Sequence, residues 1–244
     1  MRTDNKLVVV VGAGFTGLTA AYELVCQGVP VLVLEKDNEV GGLAGNFKIN
    51  GQQVEKFYHH VFTGDRYVTA LSKELDCDNN LLCRPVKTAV YLDNKFFSLS
   101  SPLDVLQFKP LSFSDRLRLG MLIVKARRIK DRKQLEGLTA EEWLLKQCGS
   151  AVYKTVWEPL LRGKFGQFAS EISAIWFWSK LMLRGQSRNK SGSETLAYYN
   201  GGLGAFAEKI ADKIKSRGGT IKTNVPANDI VVKNGCIEGV RTPL

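Results

Sequence analysis

An α/β fold, a parallel sheet interrupted by a long and mainly helical insertion, is predicted by three observations. The chain opens on Val8 to Val11, a continuous β-branched run of the kind buried in parallel sheets. Gly12, Gly14 and Gly17 follow in G-x-G-x-x-G spacing, and a second apolar run, Val31 to Leu34, ends on Glu35. From Ser101 to about Arg184 the pattern is helical, and strand-like segments return after Gly218-Gly219.

The first glycines each answer a separate backbone demand. Gly12 permits a tight strand-to-helix turn, Gly14 lets a pyrophosphate approach the backbone, and Gly17 lets the helix pack on the strand. Leu18 to Val25 continue the helix, whose bare N–H groups and positive end face the phosphates. Glu35 stands about 20 residues beyond the glycines, where a carboxylate accepts ribose hydroxyls. Strand, glycines, helix, strand and acid in that order specify an FAD/NAD(P)-binding, Rossmann-like domain. An ordinary glycine-rich turn is the competing reading.

Further along, Gly41-Gly42 forms a second loop where backbone can approach a dinucleotide. Ile49 to Lys56 reads as a hairpin turning on Asn50-Gly51, and Val86 to Leu99 as another turning on Asp93-Asn94. Asp65 caps a helix to about Leu75. Leu119, Leu122, Ile123, Ala126 and Ile129 share one helix face, with Arg116, Lys125, Arg127, Arg128 and Arg132 largely elsewhere. Thr139 and Glu142 make a capping box. Arg184 to Ser193 reads as a mobile loop. Gly201 to Lys215 is a helix, followed by strands at Thr220 to Lys222, Asp229 to Lys233 and Cys236 to Arg241. The expected division is 1–62 with 200–244 as the dinucleotide domain and 63–199 as a helical substrate or cap segment.

With 44% hydrophobic and 24% charged residues, the composition is that of a globular protein. No apolar stretch approaches the length of a bilayer span, and the N-terminal run is too short for a signal peptide. Five cysteines without C-x-x-C or zinc spacing fit a reducing, cytoplasmic compartment and no metal site. The net charge of +10 is concentrated between Arg116 and Lys133. No nucleic-acid motif accompanies it, so no nucleic-acid partner is expected. Reversible peripheral contact with an anionic membrane, driven by charge while the apolar helix face packs inward, competes with a simply solvated helix face.

VVGAGFTGLTAAYEL followed by VLVLEKDNEVGG resembles the N-terminal FAD signature of the flavin amine oxidase superfamily, which includes protoporphyrinogen oxidases, phytoene desaturases and UDP-galactopyranose mutases. The closing NGGLGAFAEKIADKIKSRGGTIKTNVPANDIVVKNGCIEGV is similar to that family's return into the FAD domain. The resemblance implies FAD as cofactor. Gly12, Ala13, Gly14, Phe15, Thr16 and Gly17 would hold its pyrophosphate, and Glu35, with Lys36 beside it, the adenosine ribose. Gly41, Gly42, Leu43 and Ala44 would follow the ribityl and phosphate portion. Val225 would meet the adenine ring through its backbone, or serve as an ordinary buried strand valine.

Two departures from the pattern stand out. Where many members place glycine beside the isoalloxazine ring, this chain has Phe57, Tyr58, His59 and His60, and YHHVFTGD is similar to a histidine-bearing loop of the mutases. These two histidines are proton-shuttle candidates, with satisfied, inert histidines as the alternative. The chain also stops at Thr242-Pro243-Leu244, before the family's closing Gly-Asp segment, which points to a missing C-terminal half. In WEPLLRGKFG, Arg162 and Lys164 form either a clamp for an anionic substrate group or a helix end whose cations meet the dipole. The expected activity is hydride transfer from a C–N or C–C bond of a small apolar or anionic substrate to flavin. A non-redox flavin isomerase and a non-catalytic nucleotide-binding fragment are the alternatives.

Overall fold

The computed structural model describes residues 6–187 and 194–243. It contains two units. The described residues up to Val61, Tyr67–Leu82 and those from Ala197 form the first, and Phe62–Arg66 with Cys83–Leu196 form the second.

In the first unit, β1 (Val8–Val11) and β2 (Val31–Leu34) run parallel in register, Val8 opposite Val31 and Val11 opposite Leu34. The helix α1 (Phe15–Cys26) connects them. Two hairpins follow later in the chain's order of strands. The first, β3 (Asn46–Ile49) with β4 (Gln52–Glu55), turns on Asn50-Gly51, both at positive φ as a tight two-residue turn requires. Three short strands, β5 (Val61–Phe62), β6 (Leu81–Val86) and β9 (Glu194–Tyr199), each with residues in both units, pair in the order β5-β9-β6. The helix α8 (Gly202–Ser216) leads into β10 (Thr220–Lys222), which pairs parallel to the other edge of β2. The last hairpin, β11 (Asp229–Lys233) with β12 (Cys236–Arg241), turns on Asn234-Gly235.

The apolar residues of α1 and α8 explain their placement. Leu18, Ala21, Tyr22 and Val25 recur at helical spacing, as do Phe206, Ala207, Ile210, Ala211 and Ile214, and all nine are buried in one cluster with Val31 and Val33. Tyr22 donates its hydroxyl to Glu74 Oε1 at 3.0 Å, and burial above all pushes its pKa well above the usual phenol range. Leu75 and Cys77 are buried in the same cluster. The helix α2 (Arg66–Glu74) therefore leads residues into the first unit that the expected 63–199 division placed with the insertion.

The second unit carries the hairpin β7 (Ala89–Leu92) with β8 (Lys95–Ser98) and five helices. These are α3 (Pro102–Gln107), α4 (Phe113–Arg128), α5 (Ala140–Val152), α6 (Glu158–Phe165) and α7 (Ala174–Gln186). Reciprocal capping boxes start α3 at Ser101/Asp104 and α5 at Thr139/Glu142. Leu122, Ala126, Trp143, Leu144, Val152, Leu161 and Phe177 centre a core of their own. The thiol of Cys148 lies in this core, and burial pushes it up to about 11. Arg184 to Gln186 complete α7 rather than open a loop, because Arg184 donates through Nε to the buried Glu194 at 2.8 Å and through Nη2 to Thr88 Oγ1 at 3.0 Å. The rest of the expected loop, 188–193, falls outside the described residues. Among the described residues no helix is long and apolar enough to cross a membrane.

Candidate active site

The glycine loop between β1 and α1 is shaped by three separate constraints. Gly12 has φ +96°, a conformation that a Cβ would strain. A Cβ on Gly17 would overlap the Gly12 carbonyl oxygen, so only glycine lets α1 start this close to the strand. A Cβ on Gly14 would meet nothing within 4 Å. Gly14 also caps α1 without a side-chain hydrogen bond, and the first turn, Phe15, Thr16 and Gly17, carries no acid. The loop thus presents an uncapped helix N-terminus to open space, the arrangement that binds phosphate.

Residues after β2 hold this loop in place. Glu35 is buried, and its Oε2 accepts the Ala13 N–H at 2.6 Å while Oε1 accepts the Asp37 N–H at 3.0 Å. A carboxylate oxygen has a second lone pair, so both oxygens retain capacity for ribose hydroxyls. Sequence reasoning gave Glu35 the ribose alone; the structure adds the task of fixing the loop. Gly41 lies at φ +106° and donates to the Ala13 carbonyl at 2.8 Å, while Gly42 sits so close that its Cβ would touch Gly14 Cα. Leu43 and Lys36 are exposed, and Ala44 is half-buried in the short turn Gly42–Ala44. Val225 lies after β10 rather than in a strand, its N–H donating to the Glu35 carbonyl at 2.8 Å.

A cavity of about 430 Å³ in the same unit is lined by Glu55, His59, His60, Tyr198, Tyr199 and Gly202, with further residues of β4 and β9. Glu55 Oε1 accepts the Leu203 N–H at 3.0 Å, capping α8 from another strand. His59 Nδ1 lies 2.7 Å from the Phe57 carbonyl, which only accepts. Nδ1 is therefore the protonated nitrogen of neutral His59, and Nε2 carries the lone pair. The Tyr58 and Tyr198 hydroxyls are hydrogen-bonded to each other, and the ring of Tyr58 lies 5.6 Å from that of His60. The bond from Tyr58, with burial behind it, pushes Tyr198 up to about 12, so its hydroxyl stays protonated at neutral pH. Glu55 and Tyr198 carried no sequence signal beyond an acid and an aromatic in strand-like runs, whereas Tyr58 lies in the YHHVFTGD segment that the sequence singles out.

Arg162 belongs to the helical unit. Its Nε donates to Glu158 Oε1 at 2.8 Å, one turn earlier on α6. Around it Trp157 packs edge-on against Phe177 and Phe165 against Trp176, with Lys164 over the Trp176 ring. Both cations lie in the last turn of α6, and the aromatics pack with the core.

A family model described as flavin containing amine oxidoreductase matches residues 15–242. The chain belongs to this family. It is 23% identical over 261 residues to a coproporphyrinogen III oxidase of Staphylococcus aureus, covering 93% of this chain and 55% of that protein. It is 27% identical over 230 residues to the flavin-containing amine oxidase B of Sus scrofa, covering 86% and 43%. A crystal structure of an oxidoreductase from Methanosarcina mazei superposes with a TM-score of 0.73 at 20% identity, covering 97% of this chain and 56% of that one. The chain thus has the α/β FAD-binding fold of flavin oxidoreductases and spans about half the length of these curated relatives. Membership makes FAD the cofactor. The open face at Gly14 and the spare lone pairs of Glu35 are chemically suited to its pyrophosphate and ribose.

Proposed function

We propose that the chain binds FAD on the Gly12–Gly17 loop and serves oxidation of a C–N or C–C bond in a small apolar or anionic substrate. The observation that carries this reading is the uncapped start of α1 at Gly14, held from behind by Glu35 and Gly41. Bound FAD supplies the hydride acceptor.

The chain's own residues bind and orient. The N–H groups of Phe15, Thr16 and Gly17 would hold the pyrophosphate, and Glu35 would accept the ribose hydroxyls with Lys36 beside it. Gly41, Gly42, Leu43 and Ala44 would hold the ribityl and phosphate portion, and Val225, whose N–H is taken by the Glu35 carbonyl, would offer its own carbonyl toward the adenine. At the cavity, His59 Nε2 accepts a proton from substrate, while the Tyr198 hydroxyl, bonded to that of Tyr58, stays protonated. Arg162 pairs with Glu158 through Nε alone, and its other guanidinium N–H groups are left for an anionic substrate group. The unpaired cysteines support a reducing, cytoplasmic compartment.

The test is to purify the chain, titrate it with FAD, and follow anaerobic bleaching of the flavin absorbance with candidate amines and porphyrinogens. Saturable FAD binding with substrate-dependent bleaching supports the reading. Activity that requires reduced flavin without net redox change would assign the isomerase alternative, the weaker fit beside an amine oxidase and a coproporphyrinogen III oxidase as relatives. Binding without bleaching by any substrate would leave a nucleotide-binding chain, and no binding would overturn the site itself.

A further inference from the structure

The helix α4 has two apolar faces where the sequence suggests one. Leu119, Leu122 and Ala126 are buried in the core of the helical unit. At about 3.6 residues per turn, Phe113, Leu117, Met121 and Val124 fall together on the opposite side. They are 65%, 46%, 44% and 41% exposed. A helix apolar on opposite sides is ordinarily enclosed, so its outer stripe calls for a covering surface. The neighbouring α3 adds exposed Leu103 and Leu106. Arg116 ties the two helices, donating to the Leu106 and Leu111 carbonyls at 2.9 Å each.

Charge around the stripe indicates which surface covers it. Helical spacing puts Arg116 and Arg127 along one margin, Arg118 and Lys125 along the other, and Arg128 at the C-terminal end. From Arg116 to Lys133 the chain holds eight lysines and arginines against Asp131 as the one acid, and these supply seven of the ten net positive charges. An apolar strip between rows of arginine is the pattern of helices that lie in an anionic lipid interface. We propose that this face of α4 seats the protein on an anionic membrane surface. Phe113, Leu117, Met121 and Val124 enter the boundary below the headgroups, and the exposed Arg127 and Arg128 meet lipid phosphates, while Arg116, Arg118 and Lys125 also bond within the chain, to Leu106 and Leu111, to Asp115 and to Gln147. Insertion, and not charge alone, then holds the contact.

Co-sedimentation with phosphatidylglycerol/phosphatidylcholine vesicles, against phosphatidylcholine alone, tests this. Binding is expected to the anionic vesicles and to weaken in high salt. The double variant Phe113→Ser/Met121→Ser should bind at least about tenfold more weakly, since each change removes apolar area from the interface. The pair Arg127→Gln/Arg128→Gln should lose about fivefold per charge. A Leu117→Trp variant reports insertion directly. Brominated lipid should quench it beyond the response of the four native tryptophans. All variants change exposed side chains, and circular dichroism checks that each is folded. Equal binding to neutral vesicles, wild-type binding by the serine variant, or no binding at all would overturn the proposal. So would a dimer that dissociates on the serine substitutions without vesicle binding, which would assign the stripe to a second copy.

Discussion

Two helices of the first unit begin among glycines, and their glycines serve opposite ends. At α1, the Gly14 Cβ position is empty, and no side chain caps the turn. At α8, a Cβ on Gly204 would lie 2.6 Å from Asn46 Cγ, and one on Gly202 would lie 2.9 Å from Glu55 Cγ. There the protein's own residues take the vacancy. Asn46 donates to the Gly201 carbonyl at 2.9 Å, and the Glu55 carboxylate caps Leu203. Glycine at a helix start creates room for an acceptor. Whether the acceptor is a ligand's phosphate or a carboxylate of the chain decides between a binding site and a packing device.

Substitutions separate the two cases. The largest effect is expected for Gly14→Val, which should weaken FAD binding by at least about a hundredfold in isothermal titration. Its melting temperature should stay within about 2 °C of wild type, because Gly14 has extended backbone and an empty Cβ position. Gly204→Val should do the reverse. Overpacking against Asn46 is expected to cost about 1–3 kcal/mol in urea denaturation, with FAD affinity retained by the folded protein. If both variants lose binding without losing stability, α8 belongs to the ligand site too. Glu35→Gln should lower FAD affinity about tenfold, since its new amide N–H₂ would face a backbone N–H that now finds an acceptor. The smallest change is expected for Glu55→Gln. That amide keeps an acceptor oxygen for Leu203 and loses only the charge at the start of α8, about 0.5 kcal/mol of stability.

The geometry of the α1 loop was legible because its demands fall on one short stretch of backbone. Gly12, Gly14, Gly17 and Glu35 lie within one strand–helix–strand passage, and spacing alone expresses them. The same locality made the Thr139/Glu142 box and the Asn50-Gly51 turn readable. The α8 cap was not legible, because Glu55 and Leu203 are 148 residues apart, and nothing in either neighbourhood announces the pairing. Tyr58 and Tyr198, 140 residues apart, escaped for the same reason. Arg184 reads as the start of a loop until its partner Glu194 is known. On α4 the periodicity picked out the face that the core covers, Leu119, Leu122 and Ala126, but not the second apolar stripe opposite it.

Ala13 is held on both sides of its own peptide backbone, its N–H by Glu35 and its carbonyl by Gly41, while the Gly12 N–H reaches Leu34 at 2.7 Å. The loop is therefore stitched down before any dinucleotide arrives, and little ordering entropy is left to lose on binding. The rate of capture is then governed by encounter rather than by a rearrangement that follows it. In stopped-flow mixing the observed rate rises in proportion to FAD concentration without reaching a plateau.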